Sequence, residues 1–139
     1  MLNTKYHGEV KVDDSQILKF EAGIPGFASE KEFIILPLEE GSPFLILQSA
    51  ATAELAFVVT NPFLFFKDYE FDLDENIVEA LKIEDVNQVQ IMVILTVQDP
   101  FEKSTANLQG PIIVNEQTKQ AKQVILNHPS YKTKHSIVQ

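Results

Sequence analysis

The stretch Ser104-Thr-Ala-Asn-Leu-Gln-Gly-Pro-Ile-Ile-Val-Asn115 joins two strand-like runs. Before it comes Val89-Gln-Ile-Met-Val-Ile-Leu-Thr-Val97, and its own end, Ile112-Ile-Val-Asn115, is followed by Gln123-Val-Ile-Leu126. These runs are rich in β-branched residues, which suit a pleated, half-buried surface. Between them lie small polar side chains and the Gly110-Pro111 breaker. Glycine takes positive φ cheaply, while proline fixes its own φ and lacks an N–H donor. The stretch therefore reads as an ordered turn entering a strand. Its polar residues Thr105, Asn107, Gln109 and Asn115 can bond either to turn backbone or to a partner. For the two asparagines, service to turn backbone is the commoner use of that residue type.

Working outward, Ile112–Leu126 reads as a hairpin turning near Asn115–Lys119. Upstream, Tyr6–Val12, Ile17–Phe20, Phe33–Leu38, Phe44–Ser49 and Leu55–Thr60 read as short strands separated by turns. Phe20-Glu-Ala-Gly-Ile-Pro-Gly-Phe27 is a tight Gly/Pro turn with apolar anchors, and Ala28–Glu32 could form one helical turn. Asn61-Pro62 opens a turn before a dense aromatic group, Phe63, Phe65, Phe66 and Tyr69. Clustered phenylalanines mostly fill cores. The alternative is that some are exposed anchors on a binding surface.

Leu73–Ile83 is the one convincing helix. Asp74 can cap it, Glu75 suits its N-terminal dipole, and Ile77, Val78 and Leu81 form an apolar stripe. Many short strands with one or two short helices predict a mainly β protein, a small antiparallel β-barrel-like domain or a sandwich. The expected organisation is one domain over residues 1–128 and a basic, partly flexible C-terminal tail over residues 129–139.

Composition narrows the function classes. The chain has 139 residues and no cysteine, which removes disulfides, thiolate metal sites and cysteine nucleophiles. No secretory signal pattern and no apolar run long enough to span a bilayer is written in it. These features predict a soluble cytoplasmic protein.

The formal net charge is −9, and every basic residue is lysine. Arginine supplies the planar fork for phosphate and guanine contacts. An acidic, arginine-free chain is therefore a poor direct nucleic-acid binder, and it should not adhere to anionic membranes. The charge is uneven. Asp68–Asp85 holds eight acids against Lys82 alone, while the chain after Glu116 has only lysines for charge. Such a patch suits a basic protein partner, although a charged face is often simply solvated.

Catalytic signatures are missing. His7, His128 and His135 have no metal-ligand spacing, and there is no nucleophile elbow or phosphate-cradling glycine loop. No spacing singles out a pair of carboxylates for hydrolysis. The expectation is a non-enzyme with no metal and no cofactor.

Three stretches taken in order carry a resemblance. They are Phe20–Phe27; Pro43–Ser49 with Phe57-Val-Val-Thr-Asn-Pro62 and Asp68-Tyr69; and Thr105–Asn115. Together they resemble the flagellar assembly factor FliW family over nearly the whole chain. That resemblance implies a small β-barrel-like, non-enzymatic partner-switching protein. Family members bind flagellin, and when flagellin is scarce they bind the RNA-binding translational repressor CsrA, relieving repression of flagellin mRNA.

On this reading Glu70, Asp72, Asp74 and Glu75 repel RNA when the protein sits on CsrA. Phe65, Phe66 and Leu108 are candidate anchors for an amphipathic flagellin helix, with Thr105 and Asn107 beside them. A monomer is expected, since no long exposed apolar strand is evident. The rival reading is a generic acidic β-barrel interaction module with another partner.

Overall fold

The computed structural model describes residues 2–137. Strands β1 (Leu2–Thr4) and β2 (Gly8–Val10) form a small separate hairpin. The single strand expected over Tyr6–Val12 is thus replaced by a turn and β2, because Thr4 Oγ1 donates to the Gly8 carbonyl at 2.7 Å and reverses the chain. Strands β3 (Leu18–Lys19), β4 (Glu32–Pro37), β5 (Phe44–Ser49) and β6 (Ala56–Thr60) follow as an antiparallel meander. After them come helix α1 (Glu75–Ala80) and strands β7 (Val89–Thr96), β8 (Thr105–Ala106), β9 (Ile112–Asn115), β10 (Ala121–Gln123) and β11 (His135–Ser136).

The main sheet has the order β10-β9-β7-β6-β5-β4-β3, with β8 on β7 and β11 on β8. Its two ends meet at a single parallel bridge, Lys19 with Gln120, where the Lys19 N–H donates to the Lys119 carbonyl at 2.7 Å. The mainly β antiparallel architecture is as the sequence predicts. The sheet curls as a barrel does, but its ladder does not close.

Strand β7 organises this sheet. It pairs antiparallel with β6, β8 and β9. Both partners from the Ser104–Asn115 stretch lie along it, and Asn107–Pro111 bulges out between them. Successive strand residues face opposite sides. Met92 and Ile94 enter the core beneath the curled sheet, with Phe33, Leu47, Val59, Ile112 and Val114. Val93 and Leu95 point the other way, into a second core with Tyr69, Leu108 and Ile137. Val89, Ile91 and Ile113 meet α1 through Ile77 and Leu81. Burial on both faces explains why β7 reads as an apolar run and not as a clean alternation.

Local chemistry shapes the rest. Gly23 has φ +69°, and a Cβ there would come within 2.5 Å of the Ala28 carbonyl oxygen, so the Phe20–Phe27 turn requires glycine. Ala28–Ser29 continues as turn, not as the expected helical turn, and Glu32 already belongs to β4. Glu30 accepts from Ser49 Oγ and, at 2.8 Å, from Thr52 Oγ1; these bonds hold its carboxyl below the usual range. Fully buried Gln48 accepts the Lys5 N–H at 2.9 Å and donates to carbonyls of the 49–55 loop, tying the β1–β2 hairpin to the sheet.

Helix α1 is shorter than the Leu73–Ile83 reading. Asp74 sits at the N-cap but makes no side-chain cap bond. At the other end Lys82 adopts φ +54°, Lys82 N–H donates to Glu79 O at 3.1 Å, and Ile83 N–H donates to Val78 O at 2.9 Å. This is a Schellman stop with lysine where glycine is usual.

The segment read as a tail is bound to the domain. β11 pairs with β8, Ile137 is buried, and Lys132 O accepts the Leu108 N–H at 3.1 Å. Its final residues, Val138 and Gln139, lie outside the described residues.

Candidate partner-binding surface

The eight acids of Asp68–Asp85 are all exposed. They are carried on a segment that leaves Tyr69, passes through α1 and returns toward β7. Tyr69 fixes one end of it. The ring is buried, its hydroxyl donates to the Leu108 carbonyl at 2.7 Å, and it meets Tyr131 edge-on at 4.7 Å. Burial pushes this hydroxyl far above the ordinary tyrosine range. Tyr131 in turn accepts the Glu70 N–H at 3.0 Å. The other end is fixed by buried Asn115, which donates to Leu81 O at 2.7 Å and to Lys82 O at 3.2 Å.

Two clefts flank the segment and share Phe71. One, of about 580 Å³, is lined by Glu70, Asp72, Leu126 and His128 among others. The second, of about 590 Å³, is mostly apolar, with Leu73, Val78, Val89 and Ile91 in its walls and Glu84 and Asp85 at its edge.

The residues singled out from sequence divide into two groups. Glu70, Asp72, Asp74 and Glu75 stand together on the exposed segment. The apolar candidates do not form a free groove. Leu108 is 2 % exposed and packs beneath the turn, so it offers no surface to a helix. Phe65 and Phe66 are half-buried: Phe65 stacks on Phe44 at 5.6 Å, and Phe66 meets His135 edge-on at 6.2 Å. Thr105 is paired in the β7–β8–β11 ladder. Asn107 Oδ1 accepts the N–H groups of Gln109 and Gly110 at 3.1 and 2.9 Å, which is the turn-backbone role. Asn115 does the same for Gln117 and Thr118 through its Oδ1.

The exposed apolar side chains that the sequence reading did not single out as candidates include Leu64, Phe101, Ile125 and Val86, the last 81 % exposed. Val86 follows Asp85, whose carboxylate caps a 3-10 turn by accepting the Asn87 N–H at 2.9 Å. The Asp85-Val86-Asn87 pattern, an acid and an asparagine of the kind that build turns, was present in the sequence and marks this position as a turn ahead of the strand.

Histidines are used locally. His128 Nδ1 accepts the Ser130 N–H at 3.1 Å, and His135 Nε2 accepts the Lys132 N–H at 2.8 Å. Among the described residues no group of His, Asp and Glu could hold a metal ion, and no helix is long and apolar enough to cross a membrane.

The FliW protein family profile matches residues 1–137. The chain belongs to the FliW family. Among similar FliW members, the flagellar assembly factor FliW of Bacillus pumilus is 58 % identical over 97 % of this chain and 94 % of its own length. That of Bacillus subtilis is 56 % identical over 99 % of this chain and 96 % of its own. A crystal structure of a flagellar assembly factor FliW superimposes with a TM-score of 0.94 at 48 % identity, covering 99 % of this chain and 96 % of that one. The FliW fold is therefore the fold described above.

Proposed function

We propose that this FliW family member acts in flagellar assembly as a non-enzymatic, monomeric cytoplasmic protein that binds two partners, flagellin and the translational repressor CsrA. One observation carries this reading: eight exposed acids on a single segment, held at both ends by buried hydrogen bonds. A protein that binds RNA presents positive charge, and complementary charge speeds and orients encounter. Acids held beside the bound repressor also repel the phosphate backbone of its RNA. Flagellin binding rests on family membership, and occupation of FliW by flagellin would leave CsrA free to repress.

The test is calorimetric titration with CsrA and, separately, with flagellin monomer, at low and physiological ionic strength. Binding to both is expected, and the CsrA affinity should weaken as salt rises. The variant Glu70→Gln/Asp72→Asn/Asp74→Asn/Glu75→Gln should displace RNA from CsrA less effectively at low salt. No binding to either partner overturns the proposal. Unchanged RNA displacement by the variant overturns the electrostatic part of it.

A further inference from the structure

Helix α1 is too short to cover the sheet face beneath it. Its six residues and the capping Leu81 place Ile77 and Leu81 over Ile113, but leave Val89 and Ile91 only partly buried. Phe71 and Leu73, arriving from the Tyr69 end, form the opposite wall. Between them lies the apolar cleft of about 590 Å³. Its geometry is set by the backbone. The Schellman stop at Lys82 turns Ile83 back against Val78, and the Asp85-capped 3-10 turn lifts Val86 to the cleft edge. Glu84 and Asp85 stand there as well, and Asp72, Asp74, Glu75 and Glu79 are exposed along the same segment. Lys82 is the only base in it.

We infer that this cleft docks an amphipathic segment of a partner protein whose apolar side chains are flanked by lysine or arginine. Two features of the surface select this occupant. An apolar floor takes the i, i+3 and i+4 side chains of a helix laid across it. The acidic surround attracts a segment with basic flanks and rejects an acidic one, which fixes the sign of the ligand. The same charge opposes a second copy of this chain, since it would bring two acidic segments together. The inference deepens the partner reading above by giving the surface and the chemistry it takes.

The experiment uses the intact protein and labelled synthetic peptides, so it can fail independently of CsrA or flagellin. The first peptide places leucines at helical spacing with lysines between them. The second replaces every lysine with glutamate. Fluorescence anisotropy should show the Leu/Lys peptide binding, the Leu/Glu peptide binding at least about tenfold more weakly, and the Leu/Lys affinity falling with salt.

Val86→Asp and Glu84→Lys/Asp85→Lys should each weaken the Leu/Lys peptide about tenfold. Val86→Asp should leave thermal stability unchanged because this side chain is exposed, whereas the charge reversal should lower it modestly through loss of the Asp85 cap on the Asn87 N–H. Glu39→Lys/Glu40→Lys, a charge reversal of the same size on the exposed turn after β4, should leave the affinity within about twofold. In amide NMR spectra the peptide should shift the Phe71, Val86 and Ile91 signals first. Equal binding of the two peptides overturns the inference. So does equal weakening by the Glu39/Glu40 reversal, which would mean general attraction to an acidic protein. Retained cleft binding alongside failure of the CsrA and flagellin titrations would keep the surface and reject those two as its occupants.

Discussion

The Tyr69 hydroxyl donates to the Leu108 carbonyl at 2.7 Å across a buried contact, joining the start of the acidic segment to the Ser104–Asn115 stretch. Tyr69→Phe keeps the ring packing and leaves that carbonyl without its donor. A buried acceptor left unmade costs about 1–3 kcal/mol. Urea unfolding should show a lower midpoint with an unchanged slope. The pH dependence has a definite sign. The folded state holds this proton above the pH at which an unfolded tyrosine releases it, so the stabilisation is full below about pH 10 and declines above it. The variant should lose stability less steeply than the parent in that alkaline range.

Asn115 is fully buried and uses both ends of its amide: two carbonyls of the helix stop accept from it, and two turn amides donate to it. Asn115→Ala should destabilise by about 2–4 kcal/mol, since several buried groups lose partners together. Asn115→Asp keeps the acceptor but points a carboxylate at Leu81 O and Lys82 O. It should be worse than alanine at neutral pH and recover as the pH falls and the carboxyl gains a proton. Thermal melts across pH 4–8 check both.

Gly110 does not use the positive φ that a Gly-Pro turn suggested; its constraint is space. A Cβ there would meet Gln123 Nε2 at 2.8 Å and Asn107 Nδ2 at 3.1 Å. Gln123 Nε2 also donates to the Gly110 carbonyl at 2.9 Å. Gly110→Ala should cost about 1–3 kcal/mol by crowding. In Gln123→Ala that obstacle is gone, so the double variant should be less destabilised than the two single costs added.

Lys82 holds a left-handed conformation that costs an L-residue about 1–2 kcal/mol and glycine almost nothing. Glycine also has more freedom to lose on folding. Lys82→Gly should therefore raise stability by about 0.5–1 kcal/mol, read as a higher midpoint in chemical denaturation. A fall in midpoint would show that the lysine side chain contributes more than its backbone strain costs.

The strands β4 to β7 and β9 were legible because each is rich in β-branched or aromatic residues and lies between turn residues. The return strand was not: the apolar Gln123–Leu126 run marked it, but β10 is the polar Ala121–Gln123, set by its pairing with Ile112–Val114 across a tight turn. The double role of Asn107 and Asn115 was legible as one of two alternatives, and the turn role is what the structure shows. The helix was overextended in the sequence reading: Leu73, Leu81 and Ile83 continue the apolar pattern, but the Lys82 backbone reverses there, and no lysine advertises that. Leu108 was misplaced as an anchor because an apolar residue beside polar neighbours reads alike whether it points into or out of a turn. Its burial depends on Tyr69 and Ile137, distant in sequence.

The sequence by itself determined the class of fold, the concentration of acids between Asp68 and Asp85, and the family. Those are properties of residue type and local order. Only the tertiary structure decided that the sheet ends meet at one bridge, that the C-terminal segment is bound through β11 and Ile137, and that an apolar cleft opens beside α1. Each depends on which surfaces meet across long separations in the chain, and local periodicity carries no record of that.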